Sequence, residues 1–124
     1  MAMQGYEQLE VYKLSFALAL AVHKDSLDYP KIEQFGGLAD QIRRSSKAVC
    51  ANMAEGLSKR MSDADERKFL SIALGSAEET RVWLNFAGAL GYLADERVTQ
   101  LREEYQTVCR MLFGLMALRE RKIA

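Results

Sequence analysis

Apolar residues recur at three- and four-residue intervals through nearly the whole chain, and nowhere do they alternate with a period of two. The first spacing marks one face of an α-helix and the second a half-buried strand, so the pattern predicts four helices and no strands. Helix 1 runs from about Tyr6 to Leu27, with Leu9, Tyr12, Phe16, Leu20, His23 and Leu27 on one stripe, widened by Val11, Leu18 and Val22. Pro30, the only proline, lies just beyond it, and the residue before a proline disfavours helix. Helix 2 opens near Gly37, carries Leu38, Ile42, Val49 and Met53, and ends near Gly56, with Lys59 and Arg60 at or past its last turn, where cations suit the helix dipole. Ser62 followed three residues later by Asp65 has the form of a capping box. It opens helix 3, which carries Phe69, Ile72, Ala73, Ser76, Thr80, Trp83, Ala87 and Leu90 before a stop at Gly91. Helix 4 begins at Asp95 or Glu96 and carries Leu101, Tyr105, Val108, Leu112 and Leu115. Short connections between helices 2 and 3 and between 3 and 4 force antiparallel neighbours. The expected fold is all-α, an up-down-up-down antiparallel four-helix bundle in a single domain over residues 1–124.

Helix 2, within QIRRSSKAVCANMAEG, carries few large side chains on any face. Ile42, Met53, Ser46, Val49 and Leu38 share the arc that faces the core, with Ser45 and Asn52 at its edge. The opposite arc holds Arg44, Lys47, Ala48, Ala51 and Ala54. An outer face usually carries long solvated side chains. Three alanines there would let another helix come close, making Ala48, Ala51 and Ala54 candidates for a subunit contact. Alanine is also the best helix former, so composition alone leaves both readings open.

Helix 3 has its own oddities. Gly75 sits mid-helix, where glycine costs about 1 kcal/mol relative to alanine. Glu79 falls among Ile72, Trp83 and Phe86 on the helical wheel, and a carboxylate in such a neighbourhood needs a partner. If helices 2 and 3 fold back about residue 61, Ser46 stands opposite Ser76, Met53 opposite Phe69 and Arg43 opposite Glu79. Arg43 is then the expected partner of Glu79, with Ser45 and Asn52 as alternatives.

Charge adds little. Lys plus Arg and Asp plus Glu are equal at 17 each, so overall charge draws the chain neither to nucleic acid nor to a membrane. Over residues 37–68 seven bases, among them Arg43, Arg44, Lys47, Lys59 and Arg60, stand against five acids. A ring of subunits would repeat any such patch around one axis. The longest apolar run, Leu14 to Val22, is far shorter than a bilayer span and is broken by Ser15. The N-terminal stretch MAMQGYEQLE lacks the charged and apolar regions of a signal peptide. Cys50 and Cys109 are then expected as reduced thiols in a cytoplasmic protein.

Catalytic and metal patterns are not found. His23 is the only histidine, and the position three residues before it is Leu20, so there is no Glu-x-x-His motif of a di-iron bundle. Two distant cysteines give no zinc spacing, and no glycine-rich phosphate loop is present. No cofactor and no enzymatic activity are expected.

QIRRSSKAVCANMAEG followed by FLSIALGSAEE, with LEVYKLSFALA before and LGYL after, resembles the layout of the 23S rRNA intervening-sequence protein family. The resemblance spans nearly the whole chain. It implies a four-helix bundle and a homo-oligomer, a pentamer in preference. Its motif positions fall on Arg43, Ser46, Asn52, Glu55, Gly56, Gly75, Ser76 and Glu79. Met53, Lys47 and Cys50 depart from the family's usual residues. The resemblance leaves two functions of different classes, an oligomer associated with RNA or DNA through phosphate contacts and a scaffold for another protein.

Overall fold

The computed structural model describes residues 5–58 and 61–123, with side chains through residue 120. Four helices follow in order, α1 (Glu10–Ser26), α2 (Leu38–Leu57), α3 (Asp63–Ala89) and α4 (Asp95–Ile123). Short 3-10 turns at Gly5–Gln8 and Lys31–Glu33 precede α1 and α2, and no strand occurs among the described residues. Each helix packs on two neighbours, α1 on α2, α2 on α3, α3 on α4 and α4 on α1, so the order around the bundle follows the chain. The up-down arrangement expected from the short connections is therefore the one observed.

Local chemistry explains the helix ends. Ser62 caps α3 by accepting from the Asp65 amide at 3.1 Å. At the other end of α3, Gly91 has φ +79, which an L side chain adopts only with strain. Its amide donates to the Gly88 carbonyl and the Tyr92 amide to Ala87, the paired bonds of a Schellman stop. Gly37 precedes α2, and the first free amide of that helix, Leu38, donates to Glu33 Oε1 at 2.9 Å. Lys59 and Arg60, the basic pair expected at the end of helix 2, lie outside the described residues.

The α2–α3 contact sets the register. Ser45 and Thr80, both buried, share a hydrogen bond of 2.8 Å. Eleven residues along α2 and eleven back along α3, Gly56 lies against Phe69, where a Cβ would fall 2.6 Å from the phenylalanine Cβ. Phe69 thus faces Gly56 rather than Met53, three residues from the expected pairing. The reason is steric. A ring at Phe69 needs the one position on α2 with no side chain, while Met53 turns fully into the core.

Helix 1 is turned from its expected orientation. The buried positions are Val11, Ser15, Leu18, Ala19, Val22 and Ser26. Phe16 and Leu20, from the stripe expected to face the core, are 49% and 48% exposed, and Leu27 is exposed as well. The observed core face is about a third of a turn away at 100° per residue. Apolar residues cover so much of this helix that periodicity did not single out one face. The smaller ones went inward. On α3, Ile72 and Leu90 are likewise exposed, and Leu70, Ala77 and Leu84 take the core. The seam of α4 is as expected through Leu101, Tyr105, Val108 and Leu112, with Leu115 only partly buried against the core.

Glycines at these two helix positions should respond oppositely to substitution. Gly56→Ala forces Phe69 to move and should lower stability by roughly 1–3 kcal/mol, the usual range for overpacking. Gly75 has open space around a built Cβ, so Gly75→Ala should raise helix stability by about 1 kcal/mol. Urea unfolding, at dilutions where concentration no longer shifts the midpoint, distinguishes the two.

Candidate functional site

The turned helix α1 leaves an apolar groove on the surface. Tyr12, Phe16, Ala19 and Leu20 form one wall, and Cys50, Ala51 and Ala54 of α2 form the other. The groove encloses about 490 Å³ and closes at one end on His23 and Lys47. There the lysine Nζ and His23 Nδ1 are 2.9 Å apart. Partial burial, then the Lys47 and Arg43 charges, hold the imidazole below its ordinary pKa. Burial and then the Arg43 charge lower that of Lys47. Around neutral pH the lysine is thus the donor and the imidazole the acceptor.

Small residues make the groove. Ala51 is exposed and Ala54 half-buried, and both sit on its floor, whereas Ala48 is half-buried but does not line it. Two of the three alanines expected to form a contact are therefore brought together with the exposed apolar stripe of α1. Burial pushes the Cys50 thiol up to about 11. On α4, Cys109 rises to about 12 through burial and a hydrogen bond to Glu78.

Arg43 does not pair with Glu79. Its guanidinium turns toward α1 and the loop, donating to Ser26 Oγ at 2.9 Å, Gln34 Oε1 at 3.1 Å and the Gln34 carbonyl at 3.0 Å. Gln34 in turn donates to the carbonyls of Ser26 and Tyr29. The arginine thus clamps the α1–α2 connection onto both helices. Glu79 is exposed and accepts from the Trp83 indole at 3.0 Å, one turn along its own helix. The alternative donors are engaged elsewhere, Ser45 with Thr80 and Asn52 with the Ala48 carbonyl. The expectation failed because Arg43 lies on the α1 side of α2 and Glu79 on the outer surface of α3.

Among the remaining motif positions, Ser46 is buried and donates to the Arg43 carbonyl. Gly56 is buried beneath Phe69, Glu55 and Gly75 are exposed, and Ser76 is half-buried with its carbonyl taken by Thr80. These residues shape the α2–α3 contact and its rim; they do not converge on one point. Of the basic residues, Arg44 is 75% exposed and bonded to Asp40 at 3.0 Å, while Lys47 turns to His23. Arg43 is spent on the loop. Gln34, Ser26 and Glu33 were missed in the sequence. The only signal for Glu33 and Gln34 was the turn-rich stretch DYPKIEQFGG, which marks a loop without saying what ties it down, and Ser26 lies before it with no signal of its own.

Among the described residues no three His, Cys, Asp or Glu side chains gather as a metal site, and no helix is long and apolar enough to cross a membrane. What remains is a class of protein, a four-helix bundle whose distinctive surface is an uncovered apolar groove. The chain belongs to the 23S rRNA-intervening sequence protein family, whose model matches residues 7–114. A crystal structure of a protein of unknown function from the S23 ribosomal protein family of Bacteroides thetaiotaomicron is similar, with a TM-score of 0.75 and 25% identity. The match covers 86% of this chain and 97% of that one. No curated protein matches the chain. Neither description names a reaction.

Arg43 and Glu79 should behave as opposites under substitution. Arg43→Ala removes three hydrogen bonds from a partly buried guanidinium and should cost roughly 3 kcal/mol, judged from charged hydrogen bonds at about 1.5–3 kcal/mol each with partial rehydration. Glu79→Ala removes one exposed bond and should cost the bundle less than about 1 kcal/mol. Equilibrium unfolding of both variants checks the pair.

Proposed function

We propose that the protein is a non-enzymatic building block that assembles with copies of itself, five in preference, in the cytoplasm. The observation that carries this is the groove between α1 and α2, where Phe16 and Leu20 stand half-exposed beside Ala51 and Ala54. A helix with apolar residues over most of its circumference is ordinarily buried on more than one side. The bundle core covers only one side of α1. Free Cys50 and Cys109 suit a reducing compartment. Light scattering at micromolar concentration should report an oligomer, and a stable monomer would sink the proposal. Ala51→Arg should weaken assembly, since a long charged side chain would fill the groove floor.

A second reading rests on Arg44 and Lys47, which lie on the outer part of α2, and on the intervening ribosomal RNA sequence in the family's description. Repeated around a ring, these bases would present a charged surface to RNA or DNA phosphates without reading sequence. Binding of this kind falls steeply with salt, because each neutralised phosphate releases counterions. Titration of the assembled protein against structured ribosomal RNA should give binding at low salt that weakens toward physiological salt, and the double variant Arg44→Ala with Lys47→Ala should reduce it. No binding at the lowest salt would remove the nucleic acid and leave a protein-binding scaffold.

A further inference from the structure

The groove has a counterpart on the same molecule. Ile72, Glu79 and Phe86 follow one another at heptad spacing along the outer side of α3, all exposed, with Gly75 between the first two. Between Ile72 and Phe86 this stripe carries one charged group, the Glu79 carboxylate, with Lys68 a turn before Ile72, and it is flat at the glycine, where nothing lies within 4 Å of a built Cβ. The groove is apolar apart from one ammonium group, that of Lys47, beside His23. We infer that the α3 face of a second copy fills the α1–α2 groove, with the neighbour's Glu79 against Lys47. This rests on the self-assembly proposed above, names its two surfaces, and places Lys47 inside the interface, so that of the two α2 bases Arg44 alone stays open to phosphates.

The heights agree. A closed ring does not climb from one copy to the next, so residues that meet across its interface stand level within one subunit when the bundle axes follow the ring axis. Contacts inside the subunit fix those levels. His23 is level with Lys47, Ser45 with Thr80 and Gly56 with Phe69. Counting from these pairs, Cys50 is level with Gly75, Lys47 with Glu78 and Glu79, and Ala54 with Ile72 to within one residue. Leu20 then projects toward the flat patch at Gly75, Ile72 meets Phe16 and Ala54, and the carboxylate meets the ammonium. Three independent features coincide in one register.

The angle agrees as well. The groove lies on the α1 side of α2 and the α3 face on its other side, so the two surfaces occupy adjacent sides of the bundle. Because they differ, they join head to tail, and adjacent sides of a four-helix bundle, about 90° apart, bring such a chain to closure after about four or five copies. In that ring α2 is the innermost helix. Its outer face lies where the subunits converge, which accounts for the alanines at positions 48 and 51.

Charge exchange tests the pairing in the full-length protein. Lys47→Glu sets two carboxylates face to face, and Glu79→Arg sets two cations together. Each single variant should raise the concentration at which the oligomer dissociates by about tenfold or more, since like charges juxtaposed at an interface repel. The double variant, with both exchanges in every copy, should restore assembly. Circular dichroism keeps the test on assembly by confirming that each variant is helical. A wild-type monomer would overturn both the assembly and this pairing. An oligomer untouched by the single variants, or broken in the double one, would overturn the pairing and leave the assembly standing. Gly75→Cys adds a second measurement. In the inferred ring it stands across from the neighbour's Cys50, so mild oxidation should give a covalent ladder ending at the ring number, and its failure to form counts against the pairing.

Discussion

The 2.8 Å hydrogen bond between Ser45 and Thr80 requires the backbones of α2 and α3 to lie close together, and the rest of the bundle is arranged around that approach. Side chains between two helices set their separation, and here they are small. Gly56 admits Phe69, and Ala73 and Ala77 are buried on the same face of α3 as Thr80. The bulk displaced from this contact is supplied from α4, where Leu101, Tyr105, Val108 and Leu112 are fully or almost fully buried. Thr80 also back-bonds to the Ser76 carbonyl, so both hydroxyls of the pair are held while buried in a low-dielectric interior.

A second polar cluster does the corresponding work for α1. Arg43, Gln34 and Ser26 join the end of α1, the connecting loop and the first turns of α2 through bonds of 2.8–3.1 Å. Glu33 extends the cluster by accepting from the Leu38 amide and from Tyr92 Oη, which links it to the α3–α4 turn. At the same end, Arg97 of α4 donates to Asp25 of α1 at 2.8 Å. Polar residues thus determine where α1 sits, while its large apolar residues are left at the surface. That division explains why Phe16 and Leu20 are outside a core that takes Val11, Ser15, Leu18, Ala19, Val22 and Ser26 from this helix.

The number, order and ends of the helices were legible in the sequence, because capping residues, glycine stops and the lone proline act locally. The α4 seam was legible for a related reason, since its polar residues leave one choice of face. The orientation of α1 was not. Its apolar residues satisfy several faces equally well, and the choice is made by Arg43 and Asp25, whose partners are distant in sequence. The small-residue character of α2 was plain, and two of its alanines do line the groove. Its arginine was assigned to the wrong neighbour. A count from the fold-back point gives height along a helix but says nothing about which side of the helix a residue leaves from.

The same burial that shapes the groove has a redox consequence. Thiolates, not thiols, attack disulfides and peroxides. With Cys50 held at about 11 and Cys109 at about 12, almost no thiolate exists at neutral pH in either position. Oxidants would thus meet two sulfurs in their inert form, one on the groove floor and the other pinned by hydrogen bonding to Glu78. Both cysteines therefore react slowly with dissolved oxidants and small thiols, and a disulfide at Cys50 is favoured only with a thiol held directly against it.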